Sequence, residues 1–372
     1  MVPGSDRTHA DGGRAILSAR PPSTEPDFSA LVERHRAELH AHCYRMLGSV
    51  QDAEDVLQET LLRAWRGAPG LRDEGAARGW LYKIATNACL TELERRKRRA
   101  LPHDYGPAAE PGTPPGEPVS EVTWLEPYPD EAVGLQGGRA SPEAIFDQHE
   151  AVELAFVAAL QHLGARQRAV LLLRDVLGFS AQEAAATLET TVASANSALQ
   201  RARTAVASRV PQRTQQTTLR ELGDRGLREL VGRYVEAWEQ CDVDGFVDLL
   251  VSDASFAMPP LATWYTPRDS IARWARESPM SGAWRWRALF VRANAQPALG
   301  FYAYDESAGT HLPFALNVLT LRDGRVSDVT AFIIRSIAAP EPEAYVRFPE
   351  QPMNPERLAS TFGRFGLPDS VD

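Results

Sequence analysis

Apolar positions recur at three- and four-residue steps in two blocks, residues 28–100 and 142–210, which predicts helices rather than strands. Phe28 to Leu47 is the first, with Phe28, Leu31, Val32, His35, Leu39, His42, Cys43 and Met46 along one side. In Asp52–Trp65 the apolar stripe is Val56, Leu57, Thr60, Leu61 and Ala64, while Asp52, Asp55, Gln58, Glu59, Leu62 and Arg66 point the other way. Carboxylates near the start of a helix are favoured by its dipole, and Ser49 is placed to cap it. A loop follows, because Gly67-Ala68-Pro69-Gly70 and Asp73-Glu74-Gly75 interrupt the pattern. The next helix turns Trp80, Leu81, Ile84, Ala85 and Ala88 inward, and Tyr82, Lys83, Thr86, Asn87 and the run Arg95–Arg99 outward.

Helical spacing resumes at Pro142. One long helix is expected from Ala144 to Leu163 and a second from Arg166 to a stop at Gly178. A third starts at Ser180, which with Glu183 makes a capping box. After a turn at Glu189-Thr190, a fourth repeats Val192, Ala195, Leu199, Ala202 and Val206 as its buried stripe. Ala193, Ser194, Ser197, Gln200, Arg201 and Thr204 fall outside. Two helices joined by so short a turn are a helix-turn-helix, and Ser, Gln and Arg are side chains that read base edges in a major groove. Between the two helical blocks, residues 101–142 are proline-rich and too long for a structureless loop within one domain, so they read as a linker. It holds one apolar-aromatic island, Trp124-Leu125-Glu126-Pro127-Tyr128-Pro129-Asp130.

Beyond residue 210 the pattern changes. Helices are expected over Leu222–Glu239 and Val243–Leu250, then strands over Trp284–Arg292, Ala298–Tyr304, Phe314–Leu321 and Val326–Ile334. The last two flank Arg322-Asp323-Gly324-Arg325, a hairpin signal. Helices first and an antiparallel sheet afterwards indicate an α+β domain.

A net charge of −9 argues against a free-standing DNA binder, although the basic residues are locally concentrated at Arg95–Arg99. No apolar run approaches the ~20 residues of a membrane span, and residues 1–26 lack the apolar centre of a signal peptide, so a cytoplasmic protein is expected. Cys43, Cys89 and Cys241 are too scattered for a disulfide framework. His40-Ala41-His42-Cys43 is spaced too tightly for a closed zinc site, and no metal or cofactor is expected.

DAEDVLQETLLRAW followed by Trp80-Leu81-Tyr82-Lys83-Ile84-Ala85-Thr86-Asn87-Ala88-Cys89-Leu90 resembles region 2 of bacterial sigma-70 factors of the extracytoplasmic-function group. RQRAVLLLRDVLGFSAQEAAATLETTVASANSALQRAR is similar to region 4 of the same family. The resemblance spans residues 27–210 and implies a promoter-specificity subunit of RNA polymerase, not an enzyme. It implies that Asp52, Asp55, Gln58 and Glu59 dock on the clamp helices of core polymerase. Trp80, Lys83, Asn87, Arg95 and Arg96 would meet the −10 element, although Trp80 reads more readily as a core aromatic, and the arginine run equally well as a solvated helix end. Ser194, Ser197, Gln200 and Arg201 would read the −35 element, and region 4 would meet the polymerase flap. The loop acids Asp73 and Glu74 depart from the family's usual small hydroxyl and basic residues.

The last part resembles the SnoaL-like, ketosteroid-isomerase-like cone in Tyr234-Val235-Glu236-Ala237-Trp238, Met258-Pro259-Pro260 and Asn294-Ala295-Gln296-Pro297-Ala298. The organisation expected is therefore multidomain: a disordered tail (1–26), all-α region 2 (27–100), the linker (101–142), all-α region 4 (143–210), the α+β cone (215–340) and a tail (341–372) with an ordered Asn354-Pro355-Glu356-Arg357-Leu358. Such cones enclose a pocket, and a small ligand there is one admitted partner beside core polymerase and promoter DNA. His311, Asp253, Tyr265 and Tyr302 are the acid–base candidates, but they form no composite signature, so no catalytic residue is assigned. Regulation in cis is expected, with Trp124, Leu125 and Pro127 docking on the extension and no separate anti-sigma protein required. An isomerase tethered by helices and an ordinary helix-turn-helix regulator are the alternatives.

Overall fold

The computed structural model describes residues 28–68, 76–119, 122–133, 147–306, 308–334 and 361–372. The 1–26 tail, Asp73-Glu74-Gly75 and the segment Asn354-Pro355-Glu356-Arg357-Leu358 lie outside the described residues.

Three helices make the first unit: α1 (Phe28–Leu47), α2 (Val50–Gly67) and α3 (Ala77–Arg95). Gly48 turns the chain at φ 71°, and Ser49 Oγ accepts from Asp52 N at 3.1 Å, the cap its position predicts. Val56, Leu57, Thr60 and Ala64 are buried as one stripe. Tyr82 and Thr86 correct the expectation for α3, since both are buried rather than outward. The helix is covered on two sides: His42 Nε2 meets the Thr86 hydroxyl at 3.0 Å from α1, and Phe179 stands edge-on to Tyr82 from the helix-turn-helix.

The linker begins with a single turn, α4 (Pro102–Tyr105), and then runs along the α+β unit. Ala109 N donates to Trp264 O at 2.8 Å, Tyr265 Oη to Thr113 O at 2.7 Å and Val119 N to Pro260 O at 3.0 Å.

The second unit contains α5 (Leu154–Gln161), α6 (Ala165–Leu171) prolonged by a π-turn over Leu172–Val176, α7 (Ala181–Thr187) and α8 (Val192–Ala207). Gly178 stops the second of these at φ 71°, and the Ser180–Glu183 box is formed. The long helix expected up to Leu163 is broken: residues 147–150 are helical, and α5 starts afresh at Leu154. Groups from elsewhere take the backbone bonds at the break. Arg45 Nε donates to Ala151 O at 3.0 Å, Asn294 Nδ2 to Val152 O at 2.9 Å, and Leu154 N donates to Gln296 Oε1 at 2.8 Å.

The third unit opens with α9 (Gln215–Glu239), which bends at Gly223 (φ 66°, ψ 168°), and α10 (Val243–Asp248). Six strands follow in the order β2-β1-β6-β5-β4-β3: β1 (Leu250–Ala257), β2 (Trp264–Tyr265), β3 (Trp286–Ala293), β4 (Gln296–Asp305), β5 (Thr310–Arg322) and β6 (Arg325–Ile333). α11 (Arg268–Glu277) lies between β2 and β3. All pairs are antiparallel except β1 with β6. The β5–β6 turn has Asp323 at φ 53° and Gly324 at φ 73°, the primed geometry that suits the twist of a hairpin.

The sheet buries apolar side chains on both faces. Toward α9, register aligns Leu299, Asn317 and Ala331, and the space is filled by rings: Trp238 lies 5.0 Å from Phe301 and 5.9 Å from Trp286, and Tyr234 stands edge-on to Phe246. The other face carries Ala298, Tyr302, Leu316 and Val318, which share a core with Phe362, Phe365 and Leu367. The end of the chain, expected to be a tail, is therefore docked. Tyr302 Oη donates to Pro368 O at 2.8 Å, and His311 and Val371 exchange backbone bonds at 2.9 and 3.0 Å. Gly300 makes room for it, because a Cβ there would sit 2.4 Å from Leu367 Cδ1.

Candidate nucleic-acid and protein-docking interfaces

The outer face of α2 carries Asp55, Gln58 and Glu59, all exposed, with Glu59 paired to Arg63 at 2.8 Å. Leu62 and Trp65 stand on the same face at 56% and 64% exposure. Large apolar side chains set among charges mark a surface built to be covered. The sequence reading missed Trp65 as a contact, although its period from Leu62 was visible.

Asp52 does not belong to that ridge. It is buried, with Oδ1 accepting from Arg96 Nη1 and Oδ2 from Arg99 Nη2, both at 2.6 Å. The first turn of α2 faces the end of α3 and the linker, which is why its carboxylate turns in. Arg99 also donates to Trp124 O at 2.7 Å and lies 3.5 Å from Glu126, whose Oε2 accepts from Val50 N at 3.0 Å. A linker carboxylate thus satisfies an orphan amide of α2 and suits its dipole. The arginine run is consequently not one uniform strip. Arg95 is exposed, Arg96 is exposed but held by Asp52 and Glu92, and Arg98 meets His162 at 2.8 Å.

Trp80 is half-buried against Gly67, where a Cβ would come within 3.0 Å of the ring. Lys83 Nζ lies 3.5 Å from Glu189, in the turn before α8. Asn87 is half-buried and accepts from Thr91 through its carbonyl. Arg78 stands about equally over the Tyr82 ring (5.1 Å) and the Phe179 ring (5.0 Å) and donates to Leu177 O at 3.2 Å. The part of α3 around Tyr82 and Lys83 therefore meets the helix-turn-helix unit.

On α8, Ser194, Ser197, Gln200 and Arg201 are all exposed, while Ala195, Leu199, Ala202 and Val206 are buried. Val192 departs from the stripe and is exposed at the first turn. Thr191 Oγ1 caps the helix through Ser194 N at 3.1 Å. Arg203 fixes the helix by a bidentate pair with Asp175 at 2.7 and 2.8 Å, a contact no local pattern announced.

The aromatic island corrects the docking expected for it: Trp124 and Leu125 lie against the three-helix unit beside Arg99, Ala100 and Gly48, not on the α+β extension. Trp124 and Leu125 are buried, Pro127 is half-buried, and Leu125 is packed against Gly48. Tyr128 stacks on Tyr44 at 4.2 Å and meets His40 Nδ1 at 2.7 Å. Asp130 accepts from Ala295 N at 2.7 Å; burial, the larger effect, pushes its pKa up to about 6. Glu153 accepts from Gln216 N at 3.0 Å, and burial pushes it up to about 7.

His40, His42 and Cys43 have separate neighbours in Tyr128, Thr86 and Cys89, and among the described residues no group of three or more His, Cys, Asp or Glu could hold a metal. The four acid–base candidates are not brought together. Asp253 pairs with Arg322, Tyr265 bonds Thr113 O, and Tyr302 and His311 bond the chain's end on the opposite face of the sheet. Among the described residues, no helix is long and apolar enough to cross a membrane.

Comparison with known proteins gives these surfaces a context. The family model described as "Sigma-70 region 2" matches residues 31–99, and "Sigma-70, region 4" matches residues 153–206. The ECF RNA polymerase sigma factor SigG of Mycobacterium tuberculosis is 41% identical over 360 residues, covering 95% of this chain and 88% of that protein. SigE of Mycolicibacterium smegmatis is 31% identical over 184 residues, 48% of this chain and 59% of its own length. The crystal structure of M. tuberculosis SigJ superimposes with a TM-score of 0.52 at 22% identity, over 88% of this chain and all of SigJ, so the likeness of fold extends through the SnoaL-like α+β unit. With two region models in order and a relative matched along nearly its whole length, the chain belongs to the extracytoplasmic-function sigma factors, the subunits that direct RNA polymerase to promoters.

Proposed function

We propose that this chain is a sigma factor held closed by its own C-terminal domain. Asp55, Gln58 and Glu59, with Leu62 and Trp65, dock on the clamp helices, and region 4 meets the flap. Ser194, Ser197, Gln200 and Arg201 read the −35 element, with Arg and Gln suited to guanine and adenine edges. Trp80, Lys83, Asn87 and Arg95 engage the −10 element, joined by Arg96 once it leaves Asp52. The contacts that close the body come from the chain itself, so no separate anti-sigma protein is required.

The observation that carries the closed state is the contact of α3 with the helix-turn-helix unit through Tyr82–Phe179 and Lys83–Glu189. Its assignment to the C-terminal domain is supported by the bonds of Asn294 and Gln296 to Tyr44, Val152 and Leu154. The −35 and −10 elements lie about 25 base pairs apart by their names, on the order of 85 Å at 3.4 Å per base pair. Two units whose side chains touch do not span that distance, so promoter binding requires them to part. Run-off transcription with core polymerase tests this, comparing the full chain with one ending at Val210. The shorter chain should give more transcript. Equal output at every promoter would remove regulation in cis, and absence of any transcript from either chain would remove the assignment of the two reading faces.

A further inference from the structure

Asn294 and Ala295 form the turn between β3 and β4, both at φ 56°. Ala disfavours this left-handed conformation, and an isolated turn would favour Gly there. Here the conformation is held from outside, because the polar atoms of Asn294-Ala295-Gln296 reach α1, the linker, the entrance to region 4 and the start of α9. Asn294 N donates to Tyr128 O at 2.7 Å, and Tyr128 N donates to Asn294 Oδ1 at 2.9 Å. Asn294 Nδ2 donates to Tyr44 Oη and to Val152 O, both at 2.9 Å. Ala295 N donates to Asp130, and Ala295 O accepts from Gln216 Nε2 at 2.9 Å. Gln296 Oε1 accepts from Leu154 N. Asn294 and Gln296 are both essentially buried, and the Asn294 amide uses both its donors and its acceptor.

The partners sort by unit. Tyr44 is in α1 of region 2, Tyr128 and Asp130 are in the linker, and Val152 and Leu154 are at the entrance to region 4. Among the described residues, no strand packs broadly against α1, α2, α3 or the helices of region 4. The buried apolar cluster that runs from both units into the sheet includes Ala293, Ala295 and Ala298 beside this turn, so hydrogen bonds and apolar packing together join the sheet to both units here. The hydrogen bonds of this joint can be exchanged for water, and the apolar side chains the turn itself contributes are alanines, the smallest available.

We propose that the Asn294-Ala295-Gln296 turn is the latch by which the α+β domain holds regions 2 and 4 together, and that opening is withdrawal of this turn rather than unfolding of the domain. The proposal rests on the cis-regulation reading above for its functional meaning, but its structural content stands apart. Asn294→Asp keeps the acceptor toward Tyr128 and removes the donors to Tyr44 and Val152. Tyr44→Phe removes one of the same bonds from the region 2 side, together with the Tyr44 Oη bond to Glu126 O at 2.8 Å, and leaves the domain's own sequence intact.

Amide hydrogen exchange and transcription, both on the full chain, separate the outcomes. Exchange at residues 126–132 and 150–156 should rise at least tenfold in Asn294→Asp and less in Tyr44→Phe, with β4–β6 unchanged and transcript increased in the same order. Unchanged exchange in those two segments in both variants overturns the latch even if truncation at Val210 alters transcription. Faster exchange there with β4–β6 equally affected in both variants also overturns it, because the domain then unfolds as a whole. Faster exchange confined to the two segments, with transcription unaltered, leaves the latch standing and removes the regulatory reading instead.

Discussion

Replacing Glu153 by Gln should flatten one component of the protein's response to pH between 5.5 and 8. The carboxyl is 4% exposed and sits at the break before α5, accepting from Gln216 N at 3.0 Å and Gln216 Nε2 at 3.3 Å. Burial raises its pKa to about 7 from an ordinary 4.5, against the lowering effect of its bonds to Gln215 and Gln216, and Glu150 raises it further. Because the folded value is the higher one, the stabilisation is complete below pH 4.5 and is lost as pH rises through 7. The difference corresponds to ~3 kcal/mol at 1.36 kcal/mol per unit, and relaxation around an ionised carboxylate brings it to about 1–3 kcal/mol. The substituted amide keeps an acceptor for Gln216 and carries no titrating proton. Thermal unfolding of both proteins at pH 5.5 and 8.0 measures the effect. The wild type should lose stability relative to Glu153→Gln on going to pH 8.0, by a few degrees in Tm. A stability difference between the two proteins that stays constant with pH would refute the argument, since Asp130 and the histidines are common to both and cancel.

Charge reversal at Asp55 and Glu59, both to Lys, should weaken capture of core polymerase at least tenfold while leaving helix content by circular dichroism unchanged, because both side chains are exposed. Asp52→Ala should act on folding instead. It leaves the buried Arg99 with only the more distant Glu126 carboxylate, and about 3 kcal/mol of destabilisation, the low end for a buried pair that loses one partner, is expected in denaturant titrations. Arg201→Ala should relax base preference at one −35 position by about 1–3 kcal/mol in a competition assay with core polymerase present, without loss of core binding. Gly300→Val should expel residues 361–372, seen as new protease cleavage there with β4 and β5 still protected, because the added side chain takes the place of Leu367.

The local grammar of the helices was legible: the Ser49 cap, the Ser180–Glu183 box, the stop at Gly178, the stripe of α8 and the Asp323-Gly324 hairpin all follow from short-range chemistry. Four strands were placed to within a few residues, but β1 was missed. Its LVSDASFA has little alternation, and it earns its place by parallel pairing with β6, distant in sequence. The facing of Asp52, Tyr82 and Thr86 was misjudged for one common reason. Helical period shows how many sides are apolar, not which polar residues will meet a partner from another helix. The same holds for the broken helix before α5, whose backbone bonds are diverted to Arg45, Asn294 and Gln296. The outer ridge of α2 and the outer side of α8 were readable because none of the described residues covers them, whereas the closure over α3 depends on contacts that leave no periodic trace.

The bond between Tyr44 and Asn294 joins residues 250 positions apart. A ribosome adding ~5–20 residues per second needs ~12–50 s to travel from one to the other. For that interval each newly made copy has its first helices outside the ribosome while the residues that clasp them have not yet been translated. If the proposed latch holds regions 2 and 4, nascent chains pass through an unlatched stage, and a polymerase that arrives then meets no clasp to undo.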